Sequence, residues 1–303
     1  MLPTTEGPGC LSVILGPAEH FTLDVGLPVL AGESTEIIFK DVRDCGISGS
    51  FVLGRSEEWL IGGATAPVAD DLEGAAGRLY RELLEASAGM HLARIWNYVP
   101  AINGAGPLGV ENYRHFCKGR SIAFETRFGR SFRQFLPSAS AVGCRPGALT
   151  VIFAASPRAP RHIENPLQVP AYDYPMLHGP RPPSFARATV VETGAGSTVF
   201  ISGTSAIRGH STVSPRNTGE QLECTLENLG EVSRACGIGS DLGATRACRR
   251  HFKVYLRHAE DLAMVTPFLD ERLFRPGDSV SYLKAGICRQ ALNVEIEATL
   301  WEI

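Results

Sequence analysis

Ser281-Tyr-Leu-Lys-Ala-Gly-Ile-Cys-Arg-Gln-Ala-Leu-Asn-Val-Glu-Ile-Glu-Ala-Thr-Leu-Trp301 carries the clearest strand pattern of the chain. Val294, Ile296 and Ala298 alternate with Glu295, Glu297 and Thr299. That is the period of two of a strand with one buried face. The other face then carries two carboxylates, and the Cys288-Arg289 pair stands just ahead of them. Glutamates on an open strand face often serve solubility alone, so this face has a bland reading and a chemical one.

Working outward, the same order of elements occurs twice. Short strands over 11–15 and 36–41 come first. Glu58-Trp-Leu-Ile-Gly-Gly-Ala-Thr-Ala66 and Ser197-Thr-Val-Phe-Ile-Ser-Gly-Thr-Ser205 each read as a strand. Asp70-Asp71 caps a helix with Leu72, Ala76, Leu79, Leu83 and Leu84 on one face; Asn217 or Thr218 caps another through Leu222, Leu226, Leu229 and Val232. Strands from His91 and His251 follow. A helix through Tyr113, Phe116, Ile122 and Phe124, with Arg114, Lys118 and Arg120 on its other face, matches one opened by Asp261 through Met264, Phe268 and Leu273. Gly147–Ala154 and Cys288–Trp301 close the two halves. The class expected is α+β: a duplicated unit, mixed sheets with helices packed on one face, divided as 1–155 and 156–303. The bare face of each sheet must be covered by the other unit, which places a site between the halves.

Residues 156–186 break the texture with dense proline, which removes backbone donors and excludes helix. Tyr172, Tyr174, Phe185 and basic residues are interleaved, and long ordered loops of this kind tend to be functional. The 303 residues carry a net charge of −3, so nothing suggests a nucleic-acid partner. Eight scattered cysteines form no Cys-x-x-Cys pair, which gives no support for a metal site. Met1–Pro8 has no basic leader and no stretch is long enough to span a membrane. A cytoplasmic protein with reduced thiols is expected.

No phosphate-binding or nucleophile-elbow motif stands in its required context, so no cofactor is expected. His251 and His258, without carboxylate partners nearby, read as structural. Arginine and carboxylate remain. Arg120, Arg181, Arg187 and Arg289 lie near loops or strand ends that a duplication would gather, and arginine grips carboxylates in bidentate fashion. A carboxylic acid in the same closed site would serve as a general acid if burial raises its pKa. The residues alone point to a small anionic substrate and acid–base chemistry.

Gly179-Pro-Arg-Pro-Pro-Ser-Phe-Ala-Arg-Ala188, Val199–Thr204, Thr218–Leu229 and Val294-Glu-Ile-Glu-Ala298 resemble, in order, the Rid/YjgF family with its chorismate-mutase-like unit. More specifically, Arg94-Ile-Trp-Asn-Tyr-Val-Pro-Ala-Ile-Asn103, Glu111–Phe124, Glu164–Pro175 and Ile287-Cys-Arg-Gln-Ala-Leu-Asn-Val-Glu295 resemble the chorismatase family from about residue 90 onward. That resemblance implies tandem Rid-like units. It implies chorismate as substrate, pyruvate as one product and Glu295 as the acid that protonates the enolpyruvyl methylene. It places product-determining positions at Gly203 and Cys288, a combination similar to the 3-hydroxybenzoate-forming branch. The diene-diol and 4-hydroxybenzoate branches, a Rid-type imine deaminase and a non-enzymatic metabolite-binding module stay open. Arg187, Tyr174, Arg120, Tyr113 and Arg289 are implied substrate contacts, under a Pro-rich cover on the C-terminal half. A monomer is expected.

Overall fold

The structure, a computed structural model, describes residues 9–16, 21–40, 42–69, 71–194 and 196–302. The expectations that fell on Met1–Pro8, Asp41 and Asp70 lie outside them. Three strands come first: β1 (Cys10–Ile14), β2 (Thr22–Gly32) and β3 (Thr35–Ile37). The first unit follows as β4 (Arg43–Ser48), β5 (Phe51–Arg55), β6 (Leu60–Pro67), α1 (Leu72–Ala86), β7 (His91–Pro100), α2 (Asn112–Phe128), β8 (Ser138–Cys144) and β9 (Ala148–Ser156). After the Pro-rich segment, with its short β10 (Arg161–Ile163), come β11 (Ala188–Thr193) and β12 (Gly196–Thr204). A small hairpin, β13 (Ile207–Arg208) and β14 (Ser211–Thr212), leads to α3 (Thr218–Cys236), β15 (Cys248–Leu256), α4 (Leu262–Arg272), β16 (Ser279–Lys284) and β17 (Val294–Glu302).

The duplication is visible in strand order. One sheet runs β4-β5-β6-β9-β7-β8, the other β10-β11-β12-β17-β15-β16-β2-β1-β3. Within them β5-β6-β9-β7-β8 and β11-β12-β17-β15-β16 match position for position: three antiparallel pairings, then a parallel one. The closing strands β9 and β17 are therefore central in their sheets. The first three strands add to the second sheet through β2 and β16, joined antiparallel.

Local chemistry sets the helix ends. The Asp71 carboxylate accepts from the Gly74 amide at 2.7 Å, and Asn217 accepts from the Glu220 amide at 3.1 Å, each satisfying an orphan N–H. Gly237, at φ +84°, ends α3 in the left-handed conformation. Two helical faces differ from expectation. In α2 the buried face holds Phe116, Cys117, Arg120 and Phe124, while Ile122 is exposed. In α4 it holds Val265 and Leu269, while Met264 is exposed.

The helices cover the outer faces: α1 and α2 on the first sheet, α3 and α4 on the second. The inner faces meet through Ile61, Trp96, Tyr98, Ile152, Phe200, Tyr255 and Leu283. The layers are thus helix, sheet, sheet, helix. β17 lies in the middle, and Val294 to Leu300 are buried on both faces. The solvated reading of Glu295 and Glu297 is corrected accordingly: their side of the strand faces the other unit.

Candidate active site

A cavity of about 910 Å³ opens where the two units meet. The first unit contributes the loop after β7 and the start of α2, with Asn103, Glu111, Tyr113 and Arg114. The Pro-rich segment contributes Tyr174, His178, Phe185 and Arg187, and the second unit Gly203, Ser205, His210, Cys288, Arg289 and Glu295. Both units therefore line the cavity, which lies between the halves.

Of the two carboxyl groups that line the cavity, Glu111 and Glu295, the buried one is Glu295. It is 4% exposed. Burial, then the like charge of Glu297, push its carboxyl up to about 8; Arg94, a bond from Ser205 and Arg187 oppose this. β12 makes room for it. Between Ile201 and Thr204 the strand has one residue more than β17 offers opposite, a bulge that bends it away. Gly203 sits there, and a Cβ on it would lie 2.0 Å from Glu295 Oε1. The carboxyl thus fills the space a side chain would take. The Ser205 hydroxyl is 3.5 Å from Oε2 and donates to the Val294 carbonyl at 2.8 Å.

Arg187 is buried and donates to the Tyr174 hydroxyl at 2.8 Å and the Val169 carbonyl at 3.1 Å. Its Nε, 4.0 Å from Glu164, has no hydrogen-bond partner. Arg289 donates to the His210 carbonyl at 2.9 Å and lies 5.2 Å from the Tyr174 ring centre. Burial, then Glu295, push the Cys288 thiol up to about 12; it is neutral at physiological pH. Arg114, Arg187 and Arg289 face Glu111 and a largely neutral Glu295, a lining that favours an anion.

Seven of the eight residues singled out from the sequence line this cavity: Glu295, Cys288, Gly203, Arg187, Tyr174, Tyr113 and Arg289. Arg120 does not. It is buried behind the wall, its guanidinium 5.0 Å from the Phe116 ring centre, and its Nε and Nη2 have no hydrogen-bond partner. Arg181 is not gathered in either; it pairs with Glu125 at the surface, 2.5 Å away. His251 has the carboxylate neighbour the sequence did not reveal, Glu36 at 3.4 Å. The sequence also missed His178 and His210, 3.2 Å apart across the mouth, because only the folded Pro-rich segment brings them together. Arg114 and Glu111 lie in the Glu111–Phe124 motif with Tyr113, which was their available signal.

A solved chorismatase structure matches with a TM-score of 0.76 at 30% identity, covering 99% of this chain and 95% of its own. A chorismatase from Streptomyces hygroscopicus is 32% identical over 97% of this chain and 90% of its own length. The chain belongs to the chorismatase family. The family model described as chorismatase FkbO/Hyg5-like, N-terminal, matches residues 40–155. A 3-hydroxybenzoate synthase from the same organism is 39% identical, over 72% of this chain and 66% of its own length. This chorismatase thus has a solved relative over its whole fold, an α+β fold, and named enzymes among its kin. Among its described residues no helix is long and apolar enough to cross a membrane, and no three His, Cys, Asp or Glu side chains are grouped to hold a metal ion.

Proposed function

We propose that this chorismatase splits chorismate into pyruvate and 3-hydroxybenzoate, with Glu295 as the general acid. The observation that carries the reading is a buried, proton-holding carboxyl seated against Gly203 in a cavity edged by arginines. Glu295 gives its proton to the enolpyruvyl methylene carbon. The ether becomes an oxocarbenium ion, and the carboxylate left behind sits beside the positive charge it created. Arg187, Arg289 and Tyr174 hold the substrate carboxylates, with Tyr113 against the ring. Cys288, neutral, stands beside the ring hydroxyl. The substrate's own ring hydroxyl, rather than water, then attacks the ring carbon that bears the ether as that carbon–oxygen bond breaks: pyruvate leaves with the ether oxygen, the hydroxyl proton returns to Glu295, and the ring aromatises with its oxygen at position 3, so the two products together hold the atoms of chorismate.

The 3-hydroxybenzoate assignment is supported by the glycine and cysteine at 203 and 288 and by the more identical of the two relatives. The two units, divided at 155/156, work as one cytoplasmic monomer, since each already covers the inner face of the other. The test is incubation with chorismate, chromatography of the aromatic product and a coupled pyruvate assay. Pyruvate with 3-hydroxybenzoate is expected. Pyruvate with a diene-diol or 4-hydroxybenzoate would discard the product assignment, and no pyruvate would discard the activity.

A further inference from the structure

Glu297 is 2% exposed and two residues beyond Glu295 on the same face of β17, so the two Cα atoms are about 7 Å apart. Three donors hold it: Arg94 Nη2 at 2.8 Å, Lys253 Nζ at 2.9 Å and Trp96 Nε1 at 2.9 Å. Lys253 also reaches Glu36 at 2.6 Å, and Arg94 also reaches Ser140 at 2.9 Å. A charge network is thus buried between the sheets directly behind the cavity. We propose that Glu297 is a positioning residue for catalysis: its fixed negative charge holds Glu295 in the protonated form in which it acts. This inference rests on Glu295 being the acid proposed above.

The groups around Glu295 support it. On its own strand stands Glu297; Tyr255 is its register partner on β15. Arg94 comes from β7, Arg187 from the end of the Pro-rich segment, Cys288 from the loop before β17 and Ser205 from just after β12. Glu297 is the one fixed negative charge in this set. Burial opposes its ionisation, but Lys253 and Arg94 overcome this and lower its pKa. Lys253 stands opposite Glu297, not opposite Glu295, so the counter-charge is on the far side. Arg94 is neutralised by Glu297 itself. Removing the Glu297 charge therefore takes away a repulsion and frees a cation, and both changes ease ionisation of Glu295.

The test is the pH dependence of pyruvate release from chorismate by Glu297→Gln, Glu297→Asp and the unaltered enzyme. Glu297→Gln is expected to lose activity at a pH lower by about one to two units, with the rate on the acid side kept. Glu297→Asp, which keeps the charge, is expected to restore the limb to within about half a unit of the unaltered enzyme. An unmoved limb in folded Glu297→Gln, or a rate lost equally at every pH, overturns the proposal. If Glu297→Gln does not fold, Glu297→Gln with Lys253→Met removes one charge of each sign, leaves Glu36 with His251 and carries the same expectation. Unaltered enzyme that releases no pyruvate refutes the proposed activity instead. The Glu295 carboxyl band, identified in infrared spectra by its loss in Glu295→Gln, then decides: it must ionise at lower pH once Glu297 is neutral.

Discussion

In the proposed mechanism Glu295 acts only while it holds a proton. With its pKa raised to about 8 by burial and Glu297, the active form dominates below that value and is lost above it. The rate of pyruvate release at low chorismate is therefore expected to fall as pH rises through about 8, read from a profile of kcat/KM. Glu295→Gln keeps the shape and removes the proton donor; a loss in kcat of about 10²- to 10⁴-fold is expected, with chorismate binding retained by calorimetry. Gly203→Ala tests the seat of the same carboxyl. Its methyl would lie 2.0 Å from Glu295 Oε1, and the flexible end of the glutamate must move. Thermal stability should change little, while kcat falls by about tenfold or more, since small displacements of a reacting group are costly.

At the scale of elements, Arg257 ties together the two rims of the cavity. It donates to the Leu292, Ile287 and Arg289 carbonyls at 2.7, 3.1 and 2.9 Å, and to the Asn103 side chain at 3.0 Å. Arg257→Ala releases the loop carrying Cys288 and Arg289. A stability loss of about 2–3 kcal/mol in urea denaturation and a raised KM are expected, and lysine, with its single point of charge, should not restore either. These ties are invisible in sequence, because nothing in residues 257 and 103 announces that they meet. The helices from Asp71 and Asn217 were legible through their caps and apolar spacing. The faces of α2 and α4 were not: α2 buries an arginine and α4 contains Pro267, so their polarity pattern misreports burial. β8 was missed because Ser138-Ala-Ser-Ala-Val142 lacks the bulky alternation of a half-exposed strand; it is buried throughout. The seven cavity residues named from the sequence lie in motifs. Glu297 shared its face with Glu295 in the sequence, but its cations come from β7 and β15.

Across the whole molecule, Arg94 of the first sheet and Glu297 of the second join the two sheets by charge, and Lys253 carries the network on to Glu36 within the second. Burial disfavours ionised Glu36, but Lys253 and His251 overcome it and bring its pKa to about 2. A carboxyl lowered on folding contributes stability above its unfolded value of about 4.3, lost as pH falls through the folded one. The urea midpoint is therefore expected to drop between about pH 5 and pH 2. Glu36→Gln, which leaves Lys253 short of a partner, is expected to cost about 3–5 kcal/mol at neutral pH, measured by the same denaturation. Glu36 sits on β3, and its ammonium partner lies 217 residues later. At ribosomal speeds that interval is on the order of ten to forty seconds. Throughout it β2 has no β16 to pair with, and an early carboxylate stays in water. β1 to β3 thus emerge well before the strand they dock on, so a nascent chain halted after the first unit would expose them to proteases that the folded enzyme resists.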